Sequence, residues 1–388
     1  MILPAWYGAV SQAPVEIPAD SLPPEIILDS LTFEETEDWF DAAWSHRNKI
    51  TIDNTKVEGA LSEFPVYVDL SHLGFDFFEN VRSDGGDIRV TAGDGETELP
   101  REVVAIDTGT ETGELHFLAP SLSDAADTEF YIYYGNAAAS EPGGSAAWPS
   151  GYQLVWHMQE TPNGADTIKD ATGGGHHGTP SGDATEVDGQ LGRAIETFDE
   201  AGGGGYVETP HANALDGGDT LVISAWFYPK EFGHEDFKSI VAKLRVGSSG
   251  HHEYALGWGD DGTIRFRIHV GGSNQNLITV ATLPLNEWSL IHGVYDSAAG
   301  SERQRIYFNG AKVADANPSG TIDKLDNPFN AFHRDDVAVR QKNVIIDEVR
   351  KGNFIPSDDW IETEYANQDD PASFYTVAAQ EATSTTTD

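Results

Sequence analysis

Cysteine is absent from the 388 residues, which excludes disulfide frameworks, thiolate metal sites and cysteine nucleophiles together. Positive charge is scarce: 23 Lys and Arg face 64 Asp and Glu, a formal net charge of −41. That balance argues against electrostatic capture of nucleic acid or anionic lipid. No stretch approaches 18 consecutive apolar residues, so no helical membrane span is encoded. The start, MILPAWYGAVSQAP, has no Lys or Arg ahead of its apolar residues and is interrupted by Pro4 and Gly8, so it reads as a mature or nearly mature terminus rather than a secretory signal. No N-glycosylation sequon occurs, because Asn317 is followed by proline.

What is present is glycine (40 residues), proline (19) and aromatics (18 Phe, 13 Tyr, 9 Trp), with abundant Val, Ile and Thr. That mixture predicts short strands joined by tight turns, an all-β chain. The length predicts two or three domains. At around 1 M salt the screening length falls to about 3 Å, which removes most of the self-repulsion of so acidic a chain. The charge therefore points to a hypersaline setting. The alternative is an ordinary acidic extracellular protein, or one that neutralises its carboxylates with calcium.

Along the chain, residues 1–43 carry nine acidic residues, five prolines and no Lys or Arg. This composition cannot close a core and predicts an extended arm. Its apolar residues (Ile2, Leu3, Trp6, Tyr7, Ile26 to Leu28, Phe33, Trp39, Phe40) would dock on another subunit or pack on the chain's own domains. From Trp44, alternating segments at 49–53, 64–70, 86–91, 114–118 and 130–134 predict a β-sandwich over 44–142. Residues 143–151 are small and rich in Pro and Gly, a linker. Strands are then expected at 154–158, 221–228, 239–243, 253–257, 263–269, 288–295, 304–308 and 344–349, with a hairpin turn at Asn309-Gly310 and a short capped helix over 358–365. This is the density of a jelly roll.

At these residues two resemblances become specific. The runs W-x-x-R-x-x-I-T-I-D-N-T-K-V (44–57), F-P-V-Y-V-D-L, S-D-G-G-D-I-R-V and F-Y-I-Y-Y-G-N resemble the uncharacterised β domain DUF2341. Residues 152 to about 352, through Trp156-His157-Met158, Asp170-Ala-Thr-Gly173, Gly192-Arg-Ala194, Ser224-Ala-Trp226, Tyr307-Phe-Asn-Gly310 and Ile346-Asp-Glu-Val-Arg350, resemble the concanavalin A-like, laminin-G-like jelly roll. The ending, D-W-I-E-T-E-Y-A-N-Q and then F-Y-T-V, resembles the closing segment of such tandems, so the second domain is drawn at 152–378 and a polar tail at 379–388. The resemblance implies an adhesive module of surface, secreted or viral proteins that binds glycans or proteins.

Catalysis finds little support. Glucanase relatives of the jelly roll use E-x-D-x-x-E or E-x-D-x-E on one strand, since a retaining mechanism needs carboxyl groups about 5 Å apart. Glu186-Val-Asp188 supplies only the first half. The pairs His176-His177 and His251-His252 point adjacent side chains to opposite faces, so neither chelates an ion alone. The glycine runs 173–175 and 202–205 lack a following Lys-Ser/Thr and read as turns. By resemblance one structural calcium is implied, with Asp170, Asp199 and Asp347 as candidate ligands. The alternative is that these cap turns and pair with Arg350 or backbone amides. Trp156, Trp226, Trp258 and Trp288 are expected in the core, and Phe232, Phe237, Phe329 and Phe332 are the candidates for stacking a sugar ring.

The reading that unites these features is a non-enzymatic virion or appendage protein of a virus of a halophile. It would be displayed on the particle surface, homo-oligomeric, joined to other virion proteins through the arm, and would bind a host-surface glycan or glycoprotein. A secreted or cell-surface adhesin is the second reading and a glycoside hydrolase the third.

Overall fold

The computed structural model describes residues 39–141, 143–197, 205–232, 237–244, 252–332 and 343–383. Seven strands come first: β1 His46–Ile52, β2 Leu61–Asp69, β3 Arg89–Ala92, β4 Glu98–Leu99, β5 Arg101–Asp107, β6 Thr112–Leu122 and β7 Thr128–Tyr134, with the short helix α1 at Phe75–Asn80. They form a three-stranded sheet, β2-β6-β5, facing a larger sheet, β1-β7-β3-β4. Alternation explains the packing. Phe64, Val66 and Val68 of β2 and Leu115 and Phe117 of β6 are fully buried between the two sheets. Tyr67 and His116 point the other way, out of this sandwich. Pro65 is tolerated in β2 because β2 is an edge strand.

The second sandwich follows: β8 Tyr152–Trp156, β9 Thr179–Ser181, β10 Ala184–Asp188, β11 Arg193–Thr197, β12 Tyr206–Thr209, β13 Thr220–Pro229, β14 Lys238–Leu244, β15 His252–Trp258, β16 Thr263–Val270, β17 Ser273–Thr282, β18 Ser289–Asp296, β19 Gln304–Phe308, β20 Ala311–Ala316, β21 Phe329–Ala331 and β22 Val344–Gly352. One sheet runs β10-β11-β22-β13-β18-β19-β20, with β8 also on β22, and the other runs β17-β16-β15-β14-β21-β12-β9. Between them lies an apolar core that includes Trp156, Ile223, Phe227, Trp258, Phe266, Ile291 and Ile346. The β19–β20 hairpin turns at Asn309 and Gly310, both at positive φ (49° and 80°), as a two-residue turn with the right twist requires.

The chain then returns to the first sandwich. Helix α2, Asp358–Asp369, is capped by Ser357, whose hydroxyl accepts from the Trp360 amide at 3.0 Å, and carries Asp358 and Asp359 in its first turn. Its Ile361 packs on Val222, Val294 and Tyr307 of the jelly roll, while Trp360 meets Phe64 of the first sandwich at 4.9 Å between ring centroids. After helix α3, Pro371–Phe374, strand β23 (Tyr375–Val377) pairs antiparallel with β1, and β24 (Glu381–Ala382) extends the pairing. The closing segment drawn with the jelly roll thus completes the sheet of the first sandwich. Residues 143–151 are also more than a tether: Ala147 and Trp148 are buried. Of the arm, Trp39 and Phe40 pack beside Trp44, Tyr131, Tyr133 and Ala139, and residues 1–38 lie outside the described residues.

Residues 38–388 make one unit. The β2-β6-β5 sheet lies face to face on the outer side of the eight-stranded sheet, where Tyr67 meets Leu191, Trp226 and Leu290. The four sheets therefore stack in one pile. Among the described residues no helix is long and apolar enough to cross a membrane.

Candidate functional site

The seam between the sandwiches is where charge is concentrated out of water. Strand alternation sets Glu114 and His116 of β6 on the outer face of the first sandwich, and Glu102 of β5 is the cross-strand neighbour of His116. From the jelly roll come His157, one residue past the end of β8, and Glu348 and Arg350 of β22. A β-bulge interrupts the pairing of β22 with β13 here, and Glu348 takes φ +50°. The extra residue breaks strict alternation, so that Asp347, Glu348 and Arg350 can all project toward the seam while Ile346 and Val349 stay in the core.

His116 Nε2 lies 2.9 Å from Glu114 Oε1. His157 Nδ1 lies 2.5 Å from Glu348 Oε1 and 3.4 Å from Glu114 Oε1, and its Nε2 is 3.4 Å from Glu102 Oε2. The second oxygens are also held. Arg350 donates to Glu348 Oε2 at 2.6 Å and to Glu364 of α2 at 2.6 Å. Gln159 donates to Glu114 Oε2 at 2.7 Å, and the Trp148 indole donates at 2.6 Å to Glu102 Oε2, the same oxygen that faces His157. Trp148 lies under the Arg350 guanidinium, 4.9 Å from ring centroid to Cζ.

Burial opposes charge on His157, but the Glu348 and Glu102 carboxylates outweigh it and hold the imidazole pKa well above its ordinary value. Burial likewise opposes charge on Glu348, and the His157 and Arg350 cations overcome it and hold that carboxyl well below the usual range. Asp347 goes the other way: burial, reinforced by the Glu348 charge, pushes its pKa well up. On either side of the cluster the seam opens into a cleft, one of about 420 Å3 reaching His157, Glu102 and Asp170 and one of about 590 Å3 reaching Tyr67, Glu114 and Arg193.

Of the calcium candidates, Asp347 lies beside this cluster and Asp170 lines the same cleft as His157 and Glu102. Asp170 organises its own turn: Oδ1 accepts from the Thr172 amide at 3.0 Å and Oδ2 from the His176 amide at 3.0 Å. Asp347 is fully buried and accepts from the Leu191 amide at 2.9 Å. Asp199 lies outside the described residues. Among the described residues, the His and carboxylate atoms that converge as possible metal ligands belong instead to Glu114, His116, His157 and Glu348. Glu186 and Asp188 of β10 are both bridged to the one Arg193, at 2.5 and 3.0 Å. Trp156, Trp226 and Trp258 are in the interior as expected, while Trp288 is half-buried. Of the sugar-stacking candidates, Phe237, Phe329 and Phe332 are buried and have no face to offer, and Phe232 is half-buried.

The seam residues escaped the sequence reading because they are single histidines and glutamates drawn from distant parts of the chain. One signal was present, Glu114-Leu-His116, two polar residues at the period of a strand inside an otherwise apolar run.

No curated protein matches the sequence. Among solved structures, the chain resembles the binding domain of Paraclostridial Mosquitocidal Protein 1 (14% identity, TM-score 0.44, covering 55% of this chain and 52% of that one). It also resembles domain 4 of AbnA, a GH43 extracellular arabinanase from Geobacillus stearothermophilus solved with arabinotriose (18%, 0.43, 55% and 98%). A third is the botulinum neurotoxin serotype C1 binding domain (12%, 0.43, 56% and 52%). The chain thus spans about half the length of the toxin domains it matches. Residues 201–362 match the family model of the concanavalin A-like lectin/glucanases superfamily, so the second sandwich carries a concanavalin A-like domain.

Proposed function

We propose that this chain is a non-enzymatic display protein whose jelly roll binds a glycan or glycoprotein on a host surface. In this reading it is carried on the outside of a virus of a halophilic host, with residues 1–43 fastening it to other virion proteins and to further copies of itself. The observation that carries the reading is the unequal use of the jelly roll's two sheets. The outer face of the eight-stranded sheet is taken up by the first sandwich and α2. The opposite sheet sets Arg265, Arg267 and His269 of β16 beside Ile278, Asn276 and Asn274 of β17, turned away from the core. Planar side chains with fixed donors and acceptors suit sugar hydroxyls, and an apolar residue beside them suits the face of a sugar ring. Ile278 is 48% exposed and Val280 97% exposed on the same edge strand. The carboxylate pair of β10 shares one Arg193 and is followed by Gly189-Gln190-Leu191 with no second Glu, so the pattern of a retaining hydrolase is incomplete there.

The test is binding of the purified protein, in high salt, to an array of host-surface glycans and to intact host cells. The wild type should bind, and Arg267→Ala with Asn276→Ala should bind at least tenfold more weakly at unchanged melting temperature. Equal binding by the variant would move the ligand elsewhere. Failure of the melting temperature to rise between about 0.1 and 2 M KCl would remove the halophilic setting.

A further inference from the structure

We propose that Glu114, His116, His157 and Glu348 hold one divalent transition-metal ion of the zinc class, and that this ion clips the first sandwich to the jelly roll. The four donor atoms lie within 4.8 Å of one another. Successive separations along the group are 2.9 Å (His116 Nε2 to Glu114 Oε1), 3.4 Å (Glu114 Oε1 to His157 Nδ1) and 2.5 Å (His157 Nδ1 to Glu348 Oε1). Donors at about 2.0–2.1 Å from a tetrahedral centre sit roughly 3.3 Å from each other. Small side-chain adjustments therefore suffice to bring all four to one point.

The donor set decides the class of ion. Two imidazole nitrogens exclude the all-oxygen cages of calcium and magnesium, and the absence of cysteine excludes a soft thiolate site. Nitrogen and carboxylate oxygen in equal number suit zinc and its neighbours. The surroundings have the form of an outer shell. The remaining nitrogen of His157 faces Glu102, the remaining oxygen of Glu348 is held by Arg350, and that of Glu114 by Gln159. Such carboxylate–imidazole–metal chains fix a ligand's tautomer and aim. Charge points the same way. Glu102, Glu114, Glu348 and Glu364 meet in a space where, among the described residues, Arg350 is the one permanently charged side chain bonded to them, and a divalent ion offsets the excess.

Glu114, His116 and Glu348 are no more than 1% exposed and His157 is 5% exposed. A closed, dry site of this kind is structural rather than catalytic. Its ligands come in two pairs, Glu114 and His116 from the first sandwich and His157 and Glu348 from the second, so that binding joins the sandwiches directly. This inference does not depend on what the jelly roll binds.

The test uses the full chain, stripped with chelator, reloaded with ZnCl2 and measured for metal by mass spectrometry and for melting temperature. One zinc per chain and a rise in melting temperature are expected, with CaCl2 giving no rise. Cobalt should give the visible absorption of a tetrahedral site. His116→Gln should abolish the zinc-dependent rise, and Glu102→Gln, which leaves the four ligands in place, should weaken zinc binding by about 10–100-fold. Should His116→Gln fail to fold, the wild-type stoichiometry and Glu102→Gln still decide. Absence of bound zinc in the wild type, a rise with calcium in place of zinc, or an undiminished affinity in Glu102→Gln would overturn the proposal.

Discussion

The eight-stranded sheet of the jelly roll has two faces that are buried by opposite means. Its inner face packs Trp156, Ile223, Phe227, Ile291 and Ile346 against the other sheet in a core that is apolar apart from one group of buried charges, Lys351 with Lys243, Glu253 and Asp216. Its outer face meets the first sandwich and α2 through His157, Glu348, Arg350 and His292, the last two bonded to Glu364 of α2, with Trp226 and Leu290 as an apolar patch at one side. Apolar burial is non-directional and contributes most of the stability. Buried ion pairs contribute little net stability, because desolvation offsets their attraction, but they are satisfied in only one geometry. The inner face thus supplies free energy to the fold, and the outer face fixes how the first sandwich sits on it. An orientation held this way would present a binding face rigidly, as display requires.

Four substitutions probe that contrast, taken from the largest effect down. Phe266→Ala empties part of the inner core, where Phe266 is fully buried, and should cost about 3–5 kcal/mol in denaturant unfolding while leaving the transition single. Arg350→Met removes the guanidinium that Glu348 and Glu364 share and should cost about 3–4 kcal/mol. Unlike the core change, it should separate the unfolding of the two sandwiches. A calorimetric trace that stays single would show that the charges do not hold the seam.

The third probe is Lys351 of β22, buried on the inner face beside Ile223 and Leu154, with its ammonium donating to the Asp216 carbonyl at 3.0 Å. Burial, only partly offset by the Glu253 and Asp216 carboxylates, pushes its pKa down from 10.5 to about 7. Between those values the unfolded chain binds a proton that the folded chain does not, so stability should rise with pH through that window. The full rise is a few kcal/mol, absent below about pH 7 and complete above about 10.5. Lys351→Met should flatten that limb of the stability profile. The smallest effect is Ser357→Ala, which removes the cap of α2 and should cost about 1 kcal/mol.

Much of the fold was legible in the sequence. The alternation of Thr263 to Val270 and of Phe64 to Val68 marks strands whose inner residues are all buried. The Asn309-Gly310 turn and the helix after Ser357 also lie where local chemistry places them. Strands such as Arg101–Asp107 and Ser273–Thr282 were missed because β5 lies mostly half-buried and β17 is an edge whose outward residues include the apolar Ile278 and Val280, which blurs the alternation. The return of Tyr375–Val377 to β1 could not be read from three residues, since a strand that short is defined by its partner. The seam was hidden for a different reason. Glu114, His116, His157 and Glu348 are spread over 235 positions of the chain, and only stacking of the two sandwiches brings them together. The Glu348 bulge, which aims one of them, leaves no local sequence signature.

The most direct test of a locked pair of sandwiches is differential scanning calorimetry of the full chain in high salt. A single transition whose calorimetric and van't Hoff enthalpies agree is the predicted result. Two resolved transitions in the wild-type protein, one for each sandwich, would contradict it.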